Sequence, residues 1–241
     1  MSLPVAILAG GLATRLRPLT EGIPKVLLEV AGSPFAVHQI ELLKRNGIRR
    51  VVFCVGHFGD QVQAALGDGR RWGLEIEYSF DGPALLGTGG ALQQALPRLG
   101  KSFFILYGDS YLDCDYAHVA QTFLKSGKLG LMTVFRNQNQ WDKSNVIFSD
   151  GLIRRYDKRQ RCPEMLHIDY GLGVLRAEVF GDYSNQESLD LATLYEDLVT
   201  KNELAGYEVT KRFYEIGSIP GLEELRQHLA KTTMAHSSSL D

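Results

Sequence analysis

Residues 5–34 read VAILAGGLATRLRPLTEGIPKVLLEVAGSP. Val5 to Leu8 is a short, wholly apolar run, the pattern of a parallel strand buried on both faces. Gly10 and Gly11 end it. Adjacent glycines tolerate φ > 0 and carry no Cβ, so a ligand can approach the backbone and N–H groups can converge on an anion. Arg15, Arg17 and Lys25 follow. A strand, a glycine turn and three cations suit a polyphosphate. A tight turn flanked by surface cations suits the same residues, and a short glycine motif alone does not separate the two.

Outward from this stretch, Ser33-Pro34 has the form of a helix start, serine as N-cap and proline at the first helical position. Val37, Ile40 and Leu43 keep helical spacing up to Asn46-Gly47. Val51–Val55 is a second buried-strand run. Strand, loop, helix and strand make the first unit of a doubly wound, mostly parallel sheet with right-handed crossover, an α/β Rossmann-like fold. Asp60–Leu66 reads as a helix and Leu74–Tyr78 as a strand. Leu85–Leu92, LLGTGGAL, reads as a glycine loop entering a helix that ends near Leu96. Its N-terminus can face a ligand, or the glycines can be a flexible connector. Phe103–Tyr107 is a third apolar run, ending in Gly108-Asp109-Ser110. A carboxylate past the carboxyl end of a central strand stands where open α/β sheets bind ligands, and a turn aspartate is the plain alternative.

Asp115 has the position of an N-cap for a helix to about Lys125. Leu129–Phe135 is a strand, and Val146–Phe148 with Leu152–Tyr156 forms a hairpin around Ser149-Asp150-Gly151. Arg154, Arg155, Lys158, Arg159 and Arg161 by themselves read as a solvated basic face. Ile168–Leu175 is a strand in which Gly171 and Gly173 permit close backbone approach. A helix over Leu189–Leu204 is expected to end at Gly206. Tyr207–Tyr214 has strand character, and Ile219–Lys231 closes the fold. The expected organisation is one domain over 1–231, with a small β subdomain at about 130–180 and a disordered tail at 232–241.

The chain has 241 residues, 44% hydrophobic and 22% charged, with a formal net charge of −2. That charge gives no bulk attraction to nucleic acid or anionic lipid, so neither is expected as a partner. Three cysteines, Cys54, Cys114 and Cys162, form no CxxC pair. The odd count suits a reducing cytoplasm. No apolar run reaches membrane-spanning length and no export signal is visible. A homodimer is the default assembly. The first loop is GGxxxR with a nearby lysine, which departs from the GxGxxG of dinucleotide-dependent dehydrogenases.

The stretch LAGGLATRLRPLTEGIPKVLLEVAGSP resembles the signature of the sugar-1-phosphate nucleotidylyltransferases, LAGGxGTRLxPLTxxxPKxLxxVxGxP, and weaker matches follow in the family's order to about residue 226. The resemblance implies a GT-A-like nucleotidyltransferase fold with a sugar-binding β subdomain. It implies transfer of a nucleoside monophosphate from an NTP to a sugar 1-phosphate, with Mg²⁺ as cofactor. It further implies that Leu8, Ala9, Gly10, Gly11, Thr14 and Arg15 wrap the nucleotide, and that Arg15 holds the β- and γ-phosphates. Lys25 would bridge the α-phosphate and the sugar phosphate, and Gly87, Thr88 and Gly89 would meet the nucleobase. Asp109 and Glu215 would hold the metal. Lys158, Asp169 and Gly171 would hold the sugar phosphate and sugar. Three positions depart from the family pattern. Ala13 replaces a glycine, Asp169-Tyr170 replaces Asn-Ala, and Glu215 replaces an aspartate.

Within the family the short chain and LGTGGAL look most like the enzymes that make GDP-heptose or GDP-mannose. The UTP-dependent N-acetylmuramate-1-phosphate uridylyltransferase is the nearest alternative. A regulatory subunit that binds nucleotide sugar without catalysis is another, favoured by Ala13 and Glu215 and opposed by Arg15, Lys25, Asp109 and Lys158.

Overall fold

The apolar run Val5–Leu8 lies inside a nine-stranded sheet in the computed structural model, which describes residues 2–11, 16, 18–183 and 188–237. The chain passes through β1 (Val5–Leu8), β2 (Glu29–Val30), β3 (Ser33–Pro34), α1 (Phe35–Arg45), β4 (Arg50–Val55) and α2 (Gly59–Leu66). It continues through β5 (Glu75–Phe80), α3 (Gly87–Leu99), β6 (Ser102–Tyr107), β7 (Ser110–Tyr111) and α4 (Tyr116–Ser126). Next come β8 (Gly130–Arg136), β9 (Val146–Ser149), β10 (Leu152–Tyr156), β11 (His167–Arg176) and α5 (Leu191–Thr200). The last elements are β12 (Leu204–Val209), β13 (Tyr214–Glu215) and α6 (Ile219–Ser237).

The strand order is β5-β4-β1-β6-β11-β8-β12-β10-β9. The first four are mutually parallel, β11 runs against both β6 and β8, and β12 is parallel to β8. Tracing the pairings through β10 and β9, seven of the nine strands point one way and only β10 and β11 oppose them. This is the expected mixed, mostly parallel sheet. Strand alternation sends Val5 and Ile7 to one face, packed with Val51 and Phe53, and Ala6 to the other with Val52, Cys54 and Ile105. With both faces covered, β1, β6 and all of β4 beyond Arg50 are almost wholly apolar, which is why they read as unbroken runs, while β5 and β10 carry charged residues on an exposed face. β9 also pairs back onto β11, so β8 to β12 curl into a closed circuit of pairings within the one sheet.

Four local expectations differ. Ser33 does not cap α1: Ser33-Pro34 pairs with β2 in a small ladder, and the extended Pro34 precedes the helix. Ala31 and Gly32 at φ 48° and 81° make the tight left-handed turn that forces this hairpin. Gly87 to Gly90 are not a loop before α3 but its first turn, because the N–H groups of Gly89 and Gly90 both donate to the carbonyl of Leu189. The helix expected over Leu189–Leu204 stops at Thr200, and Gly206 lies inside a strand. A Cβ on Gly206 would stand 2.6 Å from the Phe148 ring, so glycine is there for packing and not as a helix stop. Finally α6 runs past residue 231 to Ser237, with no glycine or proline in that span to stop it. The remainder of the expected tail lies outside the described residues. Among the described residues no helix is long and apolar enough to cross a membrane.

Candidate active site

The carboxyl ends of β1, β4, β5 and β6 open onto one cleft, as strand ends do in open α/β sheets. Its volume is about 250 Å³. Register builds its floor: Leu8 stands beside Cys54 on one side and Tyr107 on the other. Burial and the nearby Asp81 push the Cys54 thiol up to about 12, so it is an inert part of that floor at neutral pH.

The two glycines after β1 do different things. A Cβ on Gly10 would lie 3.3 Å from the Gly56 N, so Gly10 lets the ends of β1 and β4 approach. A Cβ on Gly11 would meet nothing within 4 Å, and Gly11 lines the cleft. Its lack of a side chain leaves space that the protein does not fill. Leu8 and Ala9 line the same wall. Thr14, Arg15, Arg17 and the substituted Ala13 lie outside the described residues.

Lys25 and Asp109 meet across the cleft. The Lys25 Nζ donates to Asp109 Oδ2 at 3.0 Å, both side chains being partly exposed. Lys25 opens a short 3₁₀ turn after Pro24, and Asp109 follows Gly108 at the end of β6. Gly108 has no room for a Cβ, which would stand 2.7 Å from the carbonyl oxygen of Leu8. The chain is thereby held tight against β1 one residue before the carboxylate.

Gly87, Thr88 and Asp81 line the same cleft. Gly87 has φ 77°, and a Cβ there would lie 2.6 Å from the Leu189 carbonyl oxygen. Gly89 is equally crowded by Leu189 and does not line the cleft. Thr88 Oγ1 donates to Asp190 at 3.1 Å and accepts the N–H of Leu191 at 2.8 Å. The starts of α3 and α5 are thus locked to each other, and the glycines owe their identity first to that lock. Asp81 was not singled out in the sequence. Its signal was the one used for Asp109, an aspartate past the end of a parallel strand. Burial raises the pKa of its carboxyl, and the Leu86 N–H draws it part of the way back.

Lys158, Asp169 and Gly171, expected to hold the sugar phosphate and sugar, lie just after β10 and within β11. Where β11 pairs with β8 the register shifts between Asp169 and Gly173, a bulge of the kind that re-aims side chains beside functional sites. Gly171 adopts φ 96° there, and its N–H donates to Asp169 Oδ1 at 3.0 Å. The buried Thr133 hydroxyl donates to the Leu172 carbonyl at 2.6 Å, serving an acceptor within the disrupted stretch. Desolvation raises the Asp169 pKa, opposed by the Lys158 ammonium and the Gly171 N–H. Lys158 lies 5.7 Å from the ring centroids of both Tyr107 and Tyr156. Tyr107 lines the cleft, whereas Lys158 and Asp169 are not among its lining residues.

Asp109 presents carboxylate oxygens to the cleft, one on Lys25 and one 3.4 Å from the Ser110 hydroxyl. A hard cation shared with phosphate oxygens needs only one or two protein carboxylates, so this donor fits. Glu215 is paired opposite Ser110 in the β7–β13 ladder, but its carboxylate is engaged by Gly217 and Ser218 of its own loop. Among the described residues no group of three His, Cys, Asp or Glu gathers as an all-protein metal cage.

Residues 5–145 match the nucleotidyl transferase family. An N-acetylmuramate alpha-1-phosphate uridylyltransferase from Neisseria meningitidis is 30% identical over 226 residues, covering 90% of this chain and 94% of the relative. A D-glycero-alpha-D-manno-heptose 1-phosphate guanylyltransferase from Campylobacter jejuni is 26% identical over 213 residues, covering 88% and 93%. Other relatives are longer, and the chain spans 60% and 58% of two of them. The crystal structure of HddC from Yersinia pseudotuberculosis complexed with GMP-PN shares the fold at TM-score 0.78 and 21% identity, over 94% of this chain and 99% of that one. The chain belongs to the nucleotidyl transferase family, and within it to the sugar-1-phosphate nucleotidyltransferases.

Proposed function

We propose that this enzyme transfers a guanylyl group from GTP to D-glycero-D-manno-heptose 1-phosphate or mannose 1-phosphate. The observation that carries the choice of base is Asp81, a carboxylate that lines the same cleft as Gly87 and Thr88 and takes the N–H of Leu86 just before them. Guanine offers N1–H and N2–H side by side, and a carboxylate accepts both. Uracil offers one N–H between two carbonyl oxygens, which a carboxylate repels. A two-point contact of this kind discriminates by about 1–3 kcal/mol.

In the reaction an oxygen of the sugar phosphate forms a bond to the α-phosphorus. The bond from that phosphorus to the bridging oxygen breaks, and pyrophosphate leaves with the electron pair. The nucleophile is already an anion, so positioning and charge neutralisation carry the rate. Arg15 would hold the departing phosphates, Lys25 the α-phosphate and sugar phosphate, and Lys158 the sugar phosphate. Mg²⁺ bound at Asp109 would draw charge from the α-phosphate. Lys25, paired with Asp109 in the free enzyme, would turn to phosphate once that charge is otherwise met.

The second reading is UTP with N-acetylmuramate 1-phosphate, favoured by the Neisseria relative's 30% identity over nearly its whole length. Pyrophosphate release with Mg²⁺, across five NTPs paired with mannose, heptose, glucose and N-acetylmuramate 1-phosphates, separates them. GTP with a manno-configured sugar supports the first and UTP with N-acetylmuramate 1-phosphate the second. Release from no pair, by a protein that still binds nucleotide, supports a non-catalytic binding subunit.

A further inference from the structure

Glu215 occupies the place of a metal-binding aspartate, and its surroundings give it another task. The backbone does arrive beside Asp109, because the Ile216 N–H donates to the Asp109 carbonyl at 2.8 Å. The carboxylate goes to the start of α6. One oxygen accepts the N–H of Gly217, and the other accepts the hydroxyl of Ser218 at 2.6 Å. Ser218 Oγ in turn accepts the N–H of Gly221 at 3.1 Å, and its carbonyl accepts that of Leu222 at 3.0 Å. Ser218 is therefore the N-cap of α6, and donating its proton to Glu215 leaves its lone pairs to the helix N–H. The Glu215 carboxylate takes the space that a Cβ on Gly221 would fill. The extra methylene of glutamate provides the reach, and Gly221 provides the room. The positive end of the helix favours the charge there.

What this lock holds is a buried cluster behind Asp109 and the Lys25 turn. α6 buries Leu222 and Leu225 with Ile216 against Tyr111 and Val30. Tyr111 lies two residues beyond Asp109, and Val30 lies on the strand that follows the Lys25 turn. The Arg226 guanidinium adds a bond to the Glu29 carbonyl at 3.2 Å. Both partners of the Lys25–Asp109 pair are thus tied to the helix whose N-cap Glu215 holds.

We propose that Glu215 is a positioning residue that fixes the start of α6, and through it Asp109 and Lys25, and is not a ligand of the divalent cation. The inference rests on reading Asp109 as the carboxylate on the metal. The test is Mn²⁺ affinity by electron paramagnetic resonance on the full chain, with α,β-methylene GTP or UTP present, alongside thermal melting. Wild type, E215Q, E215A and D109N are compared. An amide keeps one carbonyl acceptor for the loop, so E215Q should bind Mn²⁺ within about threefold of wild type. E215A should melt several degrees lower and bind Mn²⁺ more weakly, a loss that E215Q rescues. D109N should lose about 10- to 100-fold in affinity, the scale on which metal sites respond to lost partners. Should E215Q weaken Mn²⁺ binding as much as D109N while melting like wild type, Glu215 is a ligand and the proposal fails. Unchanged binding in D109N alone sinks the metal reading of Asp109, and the Glu215 lock then stands on melting and rescue.

Discussion

The two sides of the cleft are built from different materials. The side proposed for the nucleotide is largely backbone: Gly56 against Gly10, Gly108 against Leu8, Gly87 against Leu189, each too close for a side chain. The side proposed for the sugar is side-chain charge and aromatic surface, with Lys158, Asp169, Tyr107 and Tyr156 drawn together by a bulge and a hairpin. A backbone cradle tolerates few substitutions and serves any triphosphate. A side-chain wall can be changed one residue at a time, so selectivity for the sugar is free to vary there. Lys25 and Asp109 stand at the seam.

The seam should give the largest effect. Lys25→Met removes the cation that both phosphates would share, and kcat/KM should fall by about 10²–10³, the scale of losing one preorganised charge partner. Steady-state kinetics should show the loss against both substrates. A loss confined to one would move Lys25 off the seam and onto that substrate's side.

Next, Lys158→Ala should raise KM for the sugar phosphate by about 10- to 100-fold, as expected when a charge-assisted contact worth about 1.5–3 kcal/mol is lost. KM for the nucleotide should hold within twofold. Equal changes in both would mean that the two sides are not separate.

That division also decides what was legible in the sequence. The nucleotide side lies in contiguous stretches whose glycines, cations and apolar runs keep fixed spacing, so β1, β4, β6 and the cleft residues Gly10, Gly11, Lys25 and Asp109 could be placed in order. The sugar side needs register. Nothing in Ile168–Leu175 announces that the pairing slips between Asp169 and Gly173. The glycines also misled where packing sets them. Gly206 resembles a helix stop until the Phe148 ring is seen over it, and Gly89 resembles a ligand loop until Leu189 is found against it. Asp81 was missed although its position after β5 repeats that of Asp109 after β6.

Asp81→Asn tests whether the backbone side carries any base selectivity of its own. Losing one of two acceptors should lower kcat/KM for GTP by about 10-fold, near 1.4 kcal/mol, relative to the change for UTP. A parallel fall with both nucleotides would show that Asp81 does not choose the base.

The smallest effect concerns the cost of the charged wall. Desolvation raises the Asp169 pKa in the fold above its ordinary value of about 3.8. The native state therefore holds this proton more tightly than the unfolded chain does. The stability that the group contributes is fully present below about pH 3.8, where both states are protonated, and is lost as pH rises through the folded value. Asparagine cannot ionise, so the melting temperature of D169N relative to wild type should rise across that interval and then level off. In a Lys158→Met background the interval should extend to higher pH, because the ammonium that pulls the carboxyl back down is gone. A difference between D169N and wild type that stays flat with pH would show that Asp169 is solvated well enough to ionise freely. The wall would then carry no stored electrostatic cost, and the contrast with the nucleotide side would reduce to one of geometry.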